Sequence, residues 1–166
     1  KHLEKLPKYL DREKDNEWNP EIIDKNISKG FIISRGLGYA LSTEISLKFK
    51  ELSLELIEPF SSAEVMHGPK TLIDDSLKLF ILNLNDATGK NVKEGTKLFR
   101  QISDKIYFIN SFEKGRNNFH FNTTEIAEID SILLMSKFYP MIIKYSMLKG
   151  INPDKPRYLS KITKTL

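Results

Sequence analysis

The chain has 166 residues, 40% of them hydrophobic, 29% charged and none of them cysteine. That length and apolar content fit one compact domain with its own core, and the lack of cysteine excludes disulfides and thiolate metal sites. Its net charge of +4 comes from 26 basic residues interleaved with 22 acidic ones; no basic block carries the interleaved aromatics of a nucleic-acid surface, whereas a mildly basic surface is compatible with an anionic phosphate substrate. The three histidines, His2, His67 and His120, are not at metal-ligand spacing. No apolar run approaches the roughly 20 residues of a membrane span. No signal-peptide pattern is present, and the chain opens Lys1-His2-Leu3 rather than with Met. The expectation is a cytoplasmic protein, and a chain that is part of a longer polypeptide.

Residues 1–29 are polar, punctuated by Pro7 and Pro20, with Leu3, Leu6 and Leu10 spaced for a short packing helix. Phe31-Ile32-Ile33 predicts a buried strand. A glycine-containing turn follows, Arg35-Gly36-Leu37-Gly38-Tyr39, and then a long helical pattern from Ala40 to Leu56. Further strands are predicted at Leu56–Phe60, Leu79–Leu84, Ile106–Ile109 and Phe119–Phe121, with a helix over Asn91–Ser103. A last helix over Thr124–Lys149 should bend or break near Pro140, and the tail from Asn152 to Leu166 reads as a packed extension. Strands alternating with helices imply βαβ units, hence an α/β fold with a parallel sheet covered on both faces.

In such sheets ligands bind at the carboxyl ends of the strands, where the Arg35–Tyr39 turn falls. The turn leads into a helix N-terminus, which favours phosphate. It is neither a Walker A loop nor a full dinucleotide fingerprint, and its glycines equally serve a tight turn. At about 100° per residue, Glu44, Lys48, Glu51 and Glu55 share one stripe. Leu41, Ile45, Phe49, Leu52 and Leu56 lie on one side of it and Leu47 and Leu54 on the other. Charges flanked by apolar residues on both sides point to partial burial and tuned acid/base groups; ordinary i,i+3 and i,i+4 pairing is the alternative. His67, before Gly68-Pro69, sits in a turn, where chemistry is often placed, and histidine is the residue type suited to proton shuttling. It is either a proton shuttle or an incidental turn residue. His120, in a strand, reads as structural.

Four separated segments agree with one family in the right order: Ile33-Ser34-Arg35-Gly36-Leu37-Gly38-Tyr39, the Glu44/Lys48/Glu51 helix, Glu64-Val65-Met66-His67-Gly68-Pro69, and Asn152-Pro153-Asp154-Lys155-Pro156-Arg157-Tyr158-Leu159-Ser160-Lys161. Together they resemble the C-terminal sugar isomerase (SIS) domain of the glutamine–fructose-6-phosphate aminotransferases and of the SIS-type glucosamine-6-phosphate deaminases. The resemblance spans nearly the whole chain. It implies one three-layer αβα SIS domain over residues 1–166, with a flavodoxin-like five-stranded parallel sheet and residues 152–166 as a catalytic tail. This domain would be the second of a tandem pair.

The resemblance also implies roles. Glu51 matches the glutamate that moves a proton between C1 and C2 of the sugar. His67 matches the histidine that assists ring opening from across a dimer interface. Lys161 matches the tail lysine that forms a Schiff base with the open-chain ketose. Lys48 and Glu44 match supporting charges, and Arg35, Gly36 and Ser42 fall where substrate is bound. The implied partners are glucosamine 6-phosphate or fructose 6-phosphate, a preceding SIS domain of the same polypeptide, and a second copy in a homodimer. No cofactor, metal, nucleic acid or membrane is implied. A carboxylate base and a histidine acid suit aldose–ketose chemistry, and a lysine can add iminium catalysis.

The Ser/Thr-rich loops that hold the sugar phosphate lie mainly in the first domain of such a pair. This chain has no equivalent of them: Ser42-Thr43 and Ser61-Ser62 are too short to be diagnostic. The chain taken alone is therefore expected to be inactive. Three readings follow. The Ser61–Val65 lead-in and the Asn152-Pro153-Asp154 tail favour a deaminase; the second reading is the isomerase half of the aminotransferase, and the third a sugar-phosphate-sensing SIS domain.

Overall fold

The computed structural model of the chain describes residues 2–84, 86–112 and 115–158. Its strands are β1 (Lys29–Ser34), β2 (Leu56–Ser61), β3 (Lys78–Leu82), β4 (Ile106–Asn110) and β5 (Asn118–His120). Its α-helices are α1 (Leu6–Glu13), α2 (Leu37–Ser53), α3 (Gly89–Phe99) and α4 (Ala127–Leu148). All strand pairs are parallel, in the order β2-β1-β3-β4-β5. This is the expected flavodoxin-like arrangement, doubly wound from β1.

Both sheet faces are covered, so the central strands are apolar throughout instead of alternating; every residue of β3 is buried. One face carries Ile32, Phe80, Leu82, Tyr107, Ile109 and Phe119, packed against Ile45 and Phe49 of α2 and Leu134, Phe138 and Ile142 of α4. The other carries Phe31, Ile33, Leu79, Ile81 and Ile106, packed against Val92 and Phe99 of α3 and Val65 of the turn after β2. Helices α2 and α4 therefore lie on one side of the sheet and α3 on the other.

Three boundaries depart from the sequence expectation. Helix α2 begins at Leu37 and ends at Ser53, because Leu54 takes a left-handed conformation (φ 55°) and closes it. Glu55 is thus not on the charged stripe; it leads into β2 and is buried. Helix α4 runs unbroken through Pro140. Pro140 and the residue one turn before it, Ser136, are both exposed, so the carbonyl left without an N–H faces water and the helix continues. The tail is not a packed extension as far as it is described: Asn152, Asp154, Lys155, Arg157 and Tyr158 are exposed. Residues 159–166, including Lys161, lie outside the described residues.

The N-terminal segment closes the far edge of the sheet. The Trp18 indole donates to the carbonyl of His120 at 2.7 Å, and the Arg12 guanidinium to that of Asn122 at 2.8 Å. Leu10 is half-buried and lines a cavity between α1 and α4, whereas Leu3 is exposed.

Candidate active site

With this strand order, the crevice at the carboxyl ends of β1 and β3 is the topological switch point. Gly36 sits there with φ +60°, a conformation that L side chains rarely adopt. A Cβ on it would lie 3.0 Å from the Thr88 Oγ1 and 3.3 Å from the Asp86 Oδ2. The loop after β1 thus touches the loop after β3, and that close approach by itself accounts for the glycine. Arg35 beside it is half-buried. Ser42 is fully buried, and its hydroxyl donates back to the Gly38 carbonyl at 2.9 Å, so its proton is already committed within α2. Gly38 allows α2 to press onto β1 and β3, since a Cβ there would come within 2.2 Å of the Ser34 Oγ.

The charged stripe of α2 is a connected group. Lys48 Nζ donates to Glu51 Oε2 at 2.7 Å and lies 3.6 Å from Glu44 Oε1. Glu44 in turn accepts from the Tyr139 hydroxyl of α4 at 2.9 Å. All three α2 side chains are half-buried, with Glu44 36%, Lys48 24% and Glu51 31% exposed. The expected apolar wall on both sides is present on one only: Ile45 and Phe49 are buried, whereas Leu47 and Leu54 are exposed. The group is therefore a solvent-reachable shelf. The Glu51 carboxylate, which accepts its hydrogen bond, raises Lys48 above the usual lysine range against some desolvation. The hydrogen bond that Tyr139 donates to Glu44 raises Tyr139 above the usual tyrosine range.

His67 ends the short 3-10 turn Glu64–His67 and is exposed. Val65 of that turn sinks into the core on the α3 side of the sheet, opposite to α2. The structure therefore brings Glu44, Lys48 and Glu51 together and leaves His67 on the other side of its own chain. His120 ends β5, with its Nδ1 buried and without a partner among the described residues.

Sequence reasoning missed two polar sites. Tyr139 reaches Glu44 across 95 residues, a contact that nothing local announces. The second is a buried quartet at the amino end of the sheet. Lys78 Nζ donates to both oxygens of Glu55 at 2.8 Å and lies 2.6 Å from the Tyr145 hydroxyl. Lys149 Nζ donates to Glu55 at 2.6 Å. The available signal was a lysine inside the run Leu77-Lys78-Leu79-Phe80-Ile81.

No family model matches the chain. It is 32% identical over 147 residues to a glutamine–fructose-6-phosphate aminotransferase of Buchnera aphidicola, an alignment covering 85% of this chain and 23% of that protein. It therefore spans about a quarter of that relative's length. The C-terminal domain of a glucosamine-fructose-6-phosphate aminotransferase from Francisella tularensis superposes with a TM-score of 0.65 at 16% identity, covering 92% of this chain and 42% of that one. A glucosamine-6-phosphate deaminase from Thermotoga maritima superposes with a TM-score of 0.64 at 21% identity, covering 96% and 47%. The parallel order 2-1-3-4-5, the switch-point turn and these likenesses agree: the chain is a sugar isomerase (SIS) domain, related in sequence to the glutamine–fructose-6-phosphate aminotransferases.

Proposed function

We propose that this domain supplies the acid/base groups of an enzyme converting glucosamine 6-phosphate and water to fructose 6-phosphate and ammonia. The observation that carries the reading is the Glu44–Lys48–Glu51 shelf: a carboxylate within hydrogen-bond reach of solvent, fixed by an ammonium at 2.7 Å, on a helix of an SIS domain. After ring opening, Glu51 takes the proton from C2 and returns it to C1, so that the amine becomes a C2 imine. Water adds to that imine and ammonia leaves, giving the ketose. Lys48 orients the carboxylate, and Glu44 with Tyr139 orients Lys48. His67 acts in ring opening at the site of a second copy of the chain, which fits its place on the opposite side of the sheet from α2.

A preceding SIS domain of the same polypeptide holds the phosphate. Two observations support that partner: the chain spans only a quarter of its relative, and α4 presents an outward stripe of Ile132, Tyr139, Ile143 and Met147, each at least 40% exposed. Such a stripe is costly to leave in water. The sequence relatives favour a second reading, in which the domain is the isomerase half of an aminotransferase and makes glucosamine 6-phosphate from fructose 6-phosphate and glutamine-derived ammonia.

The test uses the full-length polypeptide incubated with glucosamine 6-phosphate, following ammonia and fructose 6-phosphate, with Glu51→Gln and Lys161→Ala as controls. Ammonia release lost in Glu51→Gln is the expected result. Glutamine-dependent formation of glucosamine 6-phosphate without release would select the aminotransferase reading. Neither activity would leave a sugar-phosphate-sensing domain.

A further inference from the structure

A cavity of about 280 Å³ lies between α1 and α4, away from the α2 shelf. At the ~30 Å³ a water takes up in the liquid, it has room for about nine waters, or for a small organic molecule. Leu10, Trp18, Pro140 and Met141 give it apolar walls. Its polar lining includes Glu13 and Lys137, which are 4% and 6% exposed.

These two residues are unequally spent. Glu13 lies 3.3 Å from the Lys137 ammonium, but it also accepts from the Asn122 amide side chain at 2.7 Å and the Asn122 backbone N–H at 3.2 Å. The Arg12 guanidinium stands 3.6 Å away. Its charge is compensated several times over. Lys137 donates to the Asn16 carbonyl and pairs with Glu13. An ammonium has three N–H donors, so one is left without an acceptor among the described residues. Of the other lining lysines, Lys14 pairs with Asp11 and Lys144 with Glu17, so the surplus positive charge at the cavity is that of the Arg12–Glu13–Lys137 group, two cations to one carboxylate. An apolar chamber with a buried cation in its lining takes a ligand with an apolar body and one anionic head.

We propose that the α1–α4 cavity is a binding site for a small organic monocarboxylate, its carboxylate accepting from Lys137 and its apolar body resting on Trp18 and Met141. The site is independent of the proposed reaction. Because buried Lys137 is desolvated, the charge-assisted bond to a carboxylate is stronger there than at a surface lysine.

Trp18 is the only tryptophan in the chain, so its fluorescence reports on this wall directly. The chain is titrated with isovalerate and with isovaleramide, its neutral isostere, at constant ionic strength. A saturable change with isovalerate is expected, half-complete at about millimolar concentration, as seven non-hydrogen atoms allow, and at least tenfold weaker with the amide. Ser136→Phe, which places a ring at the cavity mouth, should abolish the response. Lys137→Met alone takes from Glu13 its nearer cation, so the paired variant Glu13→Gln/Lys137→Met, which leaves the local charge balance unchanged, is used; it should bind both probes equally. Equal binding of both probes by the unaltered chain, binding of neither, or a response that survives Ser136→Phe would overturn the proposal.

Discussion

Lys78 and Glu55 form a two-pronged ion pair, both Nζ–oxygen distances 2.8 Å, with neither side chain exposed to solvent. The pair joins β3 to the segment that links α2 to β2. The Tyr145 hydroxyl, 2.7 Å from Glu55, and the Lys149 ammonium, 2.6 Å from it, add α4. Glu55 follows Glu51 by four residues, so the quartet anchors the end of the helix that carries the candidate base.

The two partners are not equally replaceable. Without Lys78, Glu55 keeps the Lys149 ammonium and the Tyr145 hydroxyl. Without Glu55, Lys78 keeps only the Tyr145 hydroxyl among the described residues, at a position closed to solvent. Glu55→Leu should therefore cost about 3–5 kcal/mol and Lys78→Met clearly less. The double variant should be more stable than Glu55→Leu alone, because it leaves no buried cation stranded. Urea unfolding midpoints of the three variants check the order; a Lys78→Met as damaging as Glu55→Leu would contradict it.

The same quartet gives stability an alkaline profile. Burial pushes Lys78 down to about 8, against the opposing pull of Glu55. Burial and then the Glu55 hydrogen bond push Tyr145 above the usual tyrosine range. Lys149, Asp24 and Tyr107 are the other titratable groups acting on the pair. Between about pH 8 and the ordinary lysine range of roughly 10.4, the unfolded chain holds a proton that folded Lys78 has released, so this group makes stability rise with pH. Above about pH 10 the folded chain keeps the Tyr145 proton that the unfolded chain loses, so that group makes stability fall. Urea midpoints should therefore pass through a maximum on the alkaline side, and Tyr145→Phe should flatten the descending limb. A descent unchanged in Tyr145→Phe would remove Tyr145 as its cause.

How much of this was legible beforehand depended on whether the signal was local. Phe31-Ile32-Ile33 and Leu79–Leu82 announced buried strands because a sheet covered on both faces demands unbroken apolar runs. Glu44, Lys48 and Glu51 announced themselves by spacing on one helix. Leu54 does not: nothing in its identity favours a left-handed conformation, so the periodicity carries the helix over Glu55 and gives no sign of its burial. The expected break at Pro140 is absent, because the sequence does not say that Pro140 and Ser136 lie on an exposed face of the helix. The contacts Tyr139–Glu44 and Lys78–Glu55 span 95 and 23 residues, beyond any periodicity.

The α2 shelf should matter for turnover and hardly at all for folding. Lys48 pairs with Glu51 and Glu44 where all three side chains reach solvent, and such pairs are worth about 0–1 kcal/mol. Glu51→Gln and Lys48→Met should shift the urea midpoint by no more than that. In the full-length polypeptide, loss of a general base should lower kcat by about 10²–10⁴, with KM little changed. A large loss of stability in Glu51→Gln would instead make the shelf a structural device.

The separation of His67 from Glu51 within one chain sets up a mixing experiment. If each site draws Glu51 from one copy and His67 from the other, a dimer of one Glu51→Gln chain and one His67→Ala chain has one intact site and one doubly damaged site. Equal amounts of the two full-length variants, unfolded together and refolded, give half mixed dimers by chance. The mixture should then recover about a quarter of the unaltered activity from two nearly inactive parents, since half the dimers carry one working site of two. Were both residues to serve a site within the same chain, no mixed dimer would contain an intact site and nothing would be recovered. Gel filtration before mixing establishes whether a dimer forms at all; a monomer that turns over would remove the shared site and require the Glu64–His67 turn to reach α2 around the edge of its own sheet.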